Sequence, residues 1–365
     1  MLRRSWLKSF VVFAVVAGMA SLQAADKDAK VYETMVANGI AFLEKTQAED
    51  GSWTAAAGPG ITALNATALM RQGRSPAEPL VAKSLKYLEQ FVQSDGGIYK
   101  PDSRLKNYET CLAVVCFNQA NKNGRYDKIL EAADKFIKGE QWDEGDDKSE
   151  SDFDYGGIGY GGKSRPDLSN TQFFLEAVKA TGNDDSSEAV KRALIFVSRC
   201  QNLETAHNTT PNAAKNPDGG FYYAISEGGP AGKTDEGGLR SYGSMSYAGL
   251  KSMIFAGVKK DDPRVKAVVK WIEKNYDLKS NPGIGDGGLY YYYHTLAKAL
   301  DAYGLEEISD ANGKKHVWRE ELIAELASRQ RDDGSWVNDN KKWLEGDAGM
   351  VTGFALLTLS YCTPN

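Results

Sequence analysis

The chain has 365 residues, 42% of them hydrophobic and 25% charged, which suits a soluble globular protein with a large core and leaves little room for disorder. Its formal net charge is −5, and no concentrated basic face appears beyond the first eight residues, so nucleic acid is excluded as a partner class.

The N-terminus carries Arg3, Arg4 and Lys8, then the apolar run from Phe10 to Ala20, then Leu22-Gln23-Ala24. That order reads as an export signal spanning residues 1–24, removed after Ala24 or Ala25, with a mature domain over 25–365. Arg3-Arg4-Ser5-Trp6-Leu7-Lys8 fits a twin-arginine signal, and the apolar core suits the general secretory route equally well. The expected location is periplasmic or extracellular. The apolar run is too short to span a bilayer, where roughly 20 residues are needed, and no later segment qualifies. Peripheral membrane contact stays open.

From there the chain repeats itself. Leu43-x3-Gln47-x3-Gly51-x-Trp53 near the start returns as Leu326-x3-Gln330-x3-Gly334-x-Trp336 near the end. Gly-centred turns at Gly96, Gly156, Gly219 and Gly287 complete a set of six. Apolar residues at spacings of three and four flank every turn, so each unit is a helical hairpin. The first runs through Val36 and Leu43, then Ile61 and Leu69. The others pair Glu78 to Phe91 with Asn107 to Ala120, Tyr126 to Gln141 with Leu168 to Ala180, and Ser187 to Cys200 with Tyr242 to Ala256. The last two pair Pro263 to Tyr276 with Tyr290 to Tyr303, and His316 to Arg329 with Gly346 to Tyr361. Twelve helices result. The middle turns stand further apart than the outer ones, so inserted loops crowd one part of the ring, where repeat proteins often bind. Cys111, Cys116, Cys200 and Cys362 lie in apolar, helix-like surroundings and read as buried free thiols.

The apolar-x3-Gln-x3-Gly-x-Trp pattern resembles the repeat of squalene and hopene cyclases and of protein prenyltransferase β subunits, across essentially the whole mature chain. Gly157-Ile158-Gly159-Tyr160-Gly161-Gly162 with Arg165-Pro166-Asp167-Leu168-Ser169-Asn170-Thr171-Gln172 resembles a stretch of exported bacterial members of that superfamily. The resemblance implies an all-α, single-domain toroid of six hairpins, its second helices forming an inner ring around a cavity. Independently of that, a Trp near each turn buries on the order of 200 Å² and a Gln can bond exposed amides at the start of the next helix.

If the second helices line the cavity, their N-terminal residues nominate Thr62 and Asn65; Tyr108 and Glu109; Asp167, Ser169, Asn170 and Gln172; Tyr242, Ser244 and Tyr247; Tyr290 to His294; and Asp347 and Thr352. Among these, Glu109, Asn170, Tyr242, Ser244, Tyr291 and Tyr293 are the substrate-binding candidates. Aromatic walls suit isoprenoid chains, because they bury apolar surface and their faces stabilise carbocations; tyrosines that only pack between helices are the alternative. The catalytic candidates are Asp152, Asp154, His294 and Asp347. Asp152-Phe153-Asp154 is the nearest carboxylate pair, and paired acids push one pKa upward.

Two departures from the resembled families stand out. The Asp-x-Asp-Asp acid of squalene-type cyclases does not occur. Tyr242 and Ser244 occupy the positions of two prenyltransferase zinc ligands, leaving His294 at the third, and a lone imidazole does not make a zinc site. No metal or cofactor is therefore expected. The seven carboxylates of 143–154 read as a solvated acidic loop, with weak calcium binding as the remaining alternative. The leading reading is a repeat protein whose apolar, aromatic cavity binds or transforms an isoprenoid or other lipid. The alternatives are a non-catalytic binding or scaffold toroid and an exported glycan-acting enzyme with paired carboxylates, for which Glu109, Asp154, Asp167 and Asp347 are candidates.

Overall fold

The computed structural model describes residues 29–363, so the expected export signal lies outside the described residues. The described residues form twelve α-helices: α1 (29–46), α2 (Gly60–Arg71), α3 (Pro79–Glu89), α4 (Lys106–Ala120), α5 (Asp127–Gly139), α6 (Leu168–Ala180), α7 (Glu188–Arg199), α8 (Gly243–Phe255), α9 (Pro263–Asn275), α10 (Leu289–Tyr303), α11 (Trp318–Arg329) and α12 (Ala348–Leu359). A small antiparallel hairpin, β1 (Glu307–Ser309) with β2 (Lys315–Val317), precedes α11 and was not legible in the sequence.

The even-numbered helices pack in order, α2 on α4, α4 on α6, and so on to α12, which returns to α2 and closes the inner ring. The odd-numbered helices form the outer layer. Each layer follows from its pattern. On α5 only Leu130, Ala133 and Ile137 are buried, a single stripe at spacings of three and four. On α8 every residue from Gly243 to Met253 is buried, because that helix meets neighbours on both sides, the outer layer behind and the axis in front.

The repeated Gln ties the outer layer together in a way that corrects one expectation. Its amide donates to carbonyls rather than accepting from exposed amides. Gln47 Nε2 bonds Gly51 O of its own turn at 3.1 Å and Leu80 O in the first turn of α3 at 2.9 Å. Gln330 bonds Gly334 O and, across the ring closure, Met35 O of α1, both at 2.9 Å. Two further glutamines do the same: Gln141 to Gly156 O and Ala189 O, and Gln201 to Gly219 O and Arg264 O. Insertions separate these two from their turn glycines, which hid them in the sequence. Gln93, by contrast, bonds only its own loop.

The turn glycine is fixed by two demands at once. Gly51 has φ 92°, and a Cβ there would stand 2.4 Å from Lys83 O; Gly334 has φ 86° and the same 2.4 Å approach to Asn38 O. Both the left-handed backbone and the contact with the next outer helix require glycine. The fifth turn departs, since Gly287 packs beside Trp343 instead. A buried hydroxyl adds a second repeated contact. The N–H groups of Trp53, Ile98, Ile158, Phe221 and Trp336 donate to Thr62, Thr110, Thr171, Ser246 and Thr352, each in the first turns of an inner helix, at 3.0–3.2 Å. Thr62 and Thr352 are thus spoken for by the turns rather than by the cavity. Trp53 and Trp336 are buried, with Nε1 donating to Leu43 O and Leu326 O. All four cysteines are free and buried.

Trp336→Ala is expected to lower unfolding stability by about 3–5 kcal/mol. Gln201→Ala, which strands two buried carbonyls, should cost about 1–3 kcal/mol. Urea titration of the two variants checks both, and a Gln201→Ala variant with an unchanged urea midpoint would remove the clamp role assigned here to the repeated Gln.

Candidate functional site

A cavity of about 680 Å³ opens among the N-terminal ends of the inner helices. Side chains one turn apart face it from the same helix side: Ser169 and Phe173 on α6, Met350 and Phe354 on α12. Ile61, Tyr108, Glu109, Ser244, Met245 and Tyr291 add the remaining helices, while the inserted loops bring Tyr160, Arg165, Tyr223, Glu227 and Trp343. The aromatic wall is continuous. Tyr108 meets Phe173 edge-on at 5.2 Å, Phe173 lies 6.1 Å from Tyr291, and Tyr291 meets Phe354 at 6.0 Å. These separations fall in the favourable range for ring pairs. Burial raises the hydroxyl pKa of Tyr108, Tyr242 and Tyr291, so all three stay protonated.

Three carboxylates line the cavity, and all are held; Glu227 is ion-paired with Arg165. Glu109 is buried, accepts from the Lys100 N–H at 2.9 Å and from Ser103 Oγ at 2.8 Å, and its pKa is raised by burial against those bonds. Glu345 accepts from Asn338 Nδ2 at 2.6 Å and from the Tyr291 N–H at 2.8 Å. It sits at the N-terminus of α10, where the helix dipole favours an anion, yet burial still raises its pKa. Behind the wall, Asp167 caps α6: Oδ1 accepts from the Asn170 N–H and Oδ2 from Asn170 Nδ2, both at 2.8 Å. Burial pushes its pKa from 3.8 up to about 6, opposed by those two bonds and by the approach of Tyr223 and Arg165.

Of the ten catalytic and substrate-binding candidates, four line this cavity: Glu109, Tyr242, Ser244 and Tyr291. The other six lie elsewhere. Asn170 is spent on Asp167. Tyr293 faces the outer layer and donates to Leu278 O at 2.6 Å. Asp347 caps α12 through the Met350 N–H and accepts from Thr54. Asp152 and Asp154 stay in the 143–154 loop, away from the cavity, and that loop is pinned through Arg192 and Lys163. There, the Ser149 N–H lowers the pKa of Asp152, whereas burial raises that of Asp154. His294 points to the opposite end of the ring axis, against a small lower void, and burial lowers its pKa, so it is neutral. No group of three or more potential metal ligands occurs among the described residues.

Sequence reasoning missed the apolar lining, since helices buried on every side show no periodicity that points to the axis. Ser169, nominated from the sequence at the start of its helix, does face the cavity, its Oγ lying 2.9 Å from Tyr291 Oη.

No family model matches this chain, and no curated protein matches it in sequence. Among solved structures, an apo variant of the type II terpene cyclase MstE from Scytonema aligns over 92% of this chain and 98% of its own, at 13% identity and a TM-score of 0.58. A second MstE structure, in complex with merosterolic acid A, covers 93% and 99% at 14% identity and a TM-score of 0.33. The first likeness shows the fold: an all-α toroid of the terpenoid cyclase and prenyltransferase type.

Because folded Asp167 holds its proton more tightly than the unfolded chain does, its contribution to stability falls as the pH rises from about 4 to about 6. Asp167→Asn keeps a capping side chain and removes the titration. The urea midpoint of the variant should therefore vary less with pH across that window, and an unchanged slope would place the titrating group elsewhere.

Proposed function

We propose that this protein binds an isoprenoid or another extended lipid in its axial cavity. One observation carries the reading: a space of about 680 Å³, within the usual range for small-molecule sites, walled by aromatic rings and nearly free of unengaged charge. Burial of an apolar chain against those rings supplies affinity, and the ring faces suit a ligand that carries or develops positive charge. The likeness in fold to a type II terpene cyclase supports the same ligand class.

The cavity offers no acid of the cyclase type. Glu109 and Glu345 are both tied to backbone donors, and Glu227 is paired with Arg165. Binding, rather than cyclisation started by protonation, is the activity this arrangement favours. The same engagement weakens the glycan-acting reading, which needs one free acid and one free base. A scaffold role finds less support still, because the cavity is open rather than plugged by side chains.

The mouth suits loading from a lipid surface. Trp343 and Leu344 are 52% and 54% exposed at the cavity rim, with the exposed Lys341 and Lys342 beside them. An aromatic and apolar tip flanked by ammonium groups fits the interface of an anionic bilayer. No helix among the described residues is long and apolar enough to cross a membrane. With the export signal read from residues 1–24, the proposed place of action is outside the cytoplasm.

Native mass spectrometry and lipid extraction of the exported protein should reveal a bound polyprenyl or similar lipid, and C15 to C30 polyprenols should raise its Tm. Ala57→Trp, which narrows the mouth, should weaken binding about tenfold, or ~1.4 kcal/mol. A protein that carries no lipid and gains no stability from polyprenols would overturn the proposal.

A further inference from the structure

At the other end of the ring axis, below Phe173, the inner helices enclose a void of about 20 Å³. Phe173 borders both this void and the main cavity, so one ring divides an apolar space above from a charged one below. Glu176 of α6 accepts from Lys251 of α8 at one carboxylate oxygen and from Lys298 of α10 at the other. Lys251 also donates to Gln172, whose amide in turn bonds Tyr291 at 3.3 Å. Arg71, at the end of α2, donates to Tyr361 Oη at 2.7 Å.

The charges here do not balance. Lys251 and Lys298 share the one carboxylate of Glu176, and Arg71, bonded only to the Tyr361 hydroxyl, adds a third cation beside the void. Asp301, the next acidic group, is bound to Arg319 at 2.9 Å. Lys251 is 1% exposed and Lys298 8%, and an uncompensated charge at such depth is costly. His294, 5% exposed, faces the void, and its Nδ1 has no hydrogen-bond partner. An orphaned polar nitrogen, an excess of buried positive charge and a space large enough for one particle meet at a single place.

We infer that this void is a binding site for a chloride-sized monovalent anion, held by Lys298, Arg71 and an N–H of His294. Both oxygens of Glu176, the carboxylate that also borders the void, are committed to the two lysines, which shields the anion from them. The bound anion offsets one of the two surplus positive charges and joins α2 to α10 at the floor of the ring. The site is independent of whichever lipid occupies the cavity above.

Crystals grown in sodium bromide test the assignment directly, with an anomalous peak expected between Lys298, Arg71 and His294. In solution, the Tm should be higher by about 3 °C in sodium chloride or bromide than in sodium gluconate of equal ionic strength, as for any ligand that binds only the folded state. Lys298→Met removes one surplus charge and a direct ligand of the anion, and should abolish that difference. If that variant does not fold, Arg71→Gln at the half-buried rim makes the same measurement. A void holding water without an anomalous peak, together with equal Tm values in both salts, would overturn the inference.

Discussion

The structure depends on one constraint: six inner helices without a solvent face must be held at fixed spacing by elements that themselves face water. The outer helices meet that demand through backbone contacts rather than side-chain packing alone. Gln47, Gln141, Gln201 and Gln330 each join the carbonyl of a turn glycine to a carbonyl in the N-terminal half of the next outer helix. A carboxamide NH2 has two protons to give, and both are used. Gln330 reaching Met35 closes the ring, so its first and last units are coupled although they lie almost 300 residues apart, |i−j| being 295.

That closure sets the chemistry available at the axis. Above Phe173 the inner helices present rings and small apolar groups, and polar atoms there are either satisfied or kept protonated by burial. Below it they present Glu176, Lys251, Lys298 and Arg71 at a depth where charges must find partners. A hydrogen-bonded line from Ser169 through Tyr291 and Gln172 to Lys251 links the two regions. The insertions in the middle repeats complete the cavity, since Tyr160, Arg165, Tyr223 and Glu227 all come from them.

Helix positions were legible in the sequence to within a residue or two. Leu168–Ala180 is where the apolar spacing put it, and α5, α7 and α8 each fall one or two residues inside the expected span. Outer helices announce themselves by a single apolar stripe, and repeat turns by glycine. Legibility ended at the site. Glu109, Tyr242, Ser244 and Tyr291 face the cavity while Asn170 and Tyr293, on the same stretches, do not. A helix rotates 100° per residue, and a sequence apolar on every side carries no mark of which direction is the axis.

The sequence by itself determined the six hairpins and the place of their turns, because these rest on local spacing and on glycine's access to positive φ. The tertiary structure alone decided which side chains share the cavity, that Glu109 and Glu345 are tied down there, and that two buried lysines meet on one carboxylate below Phe173. Those facts arise when six helices distant along the chain are brought around a common axis. No periodicity within any one of them encodes its rotation relative to the other five.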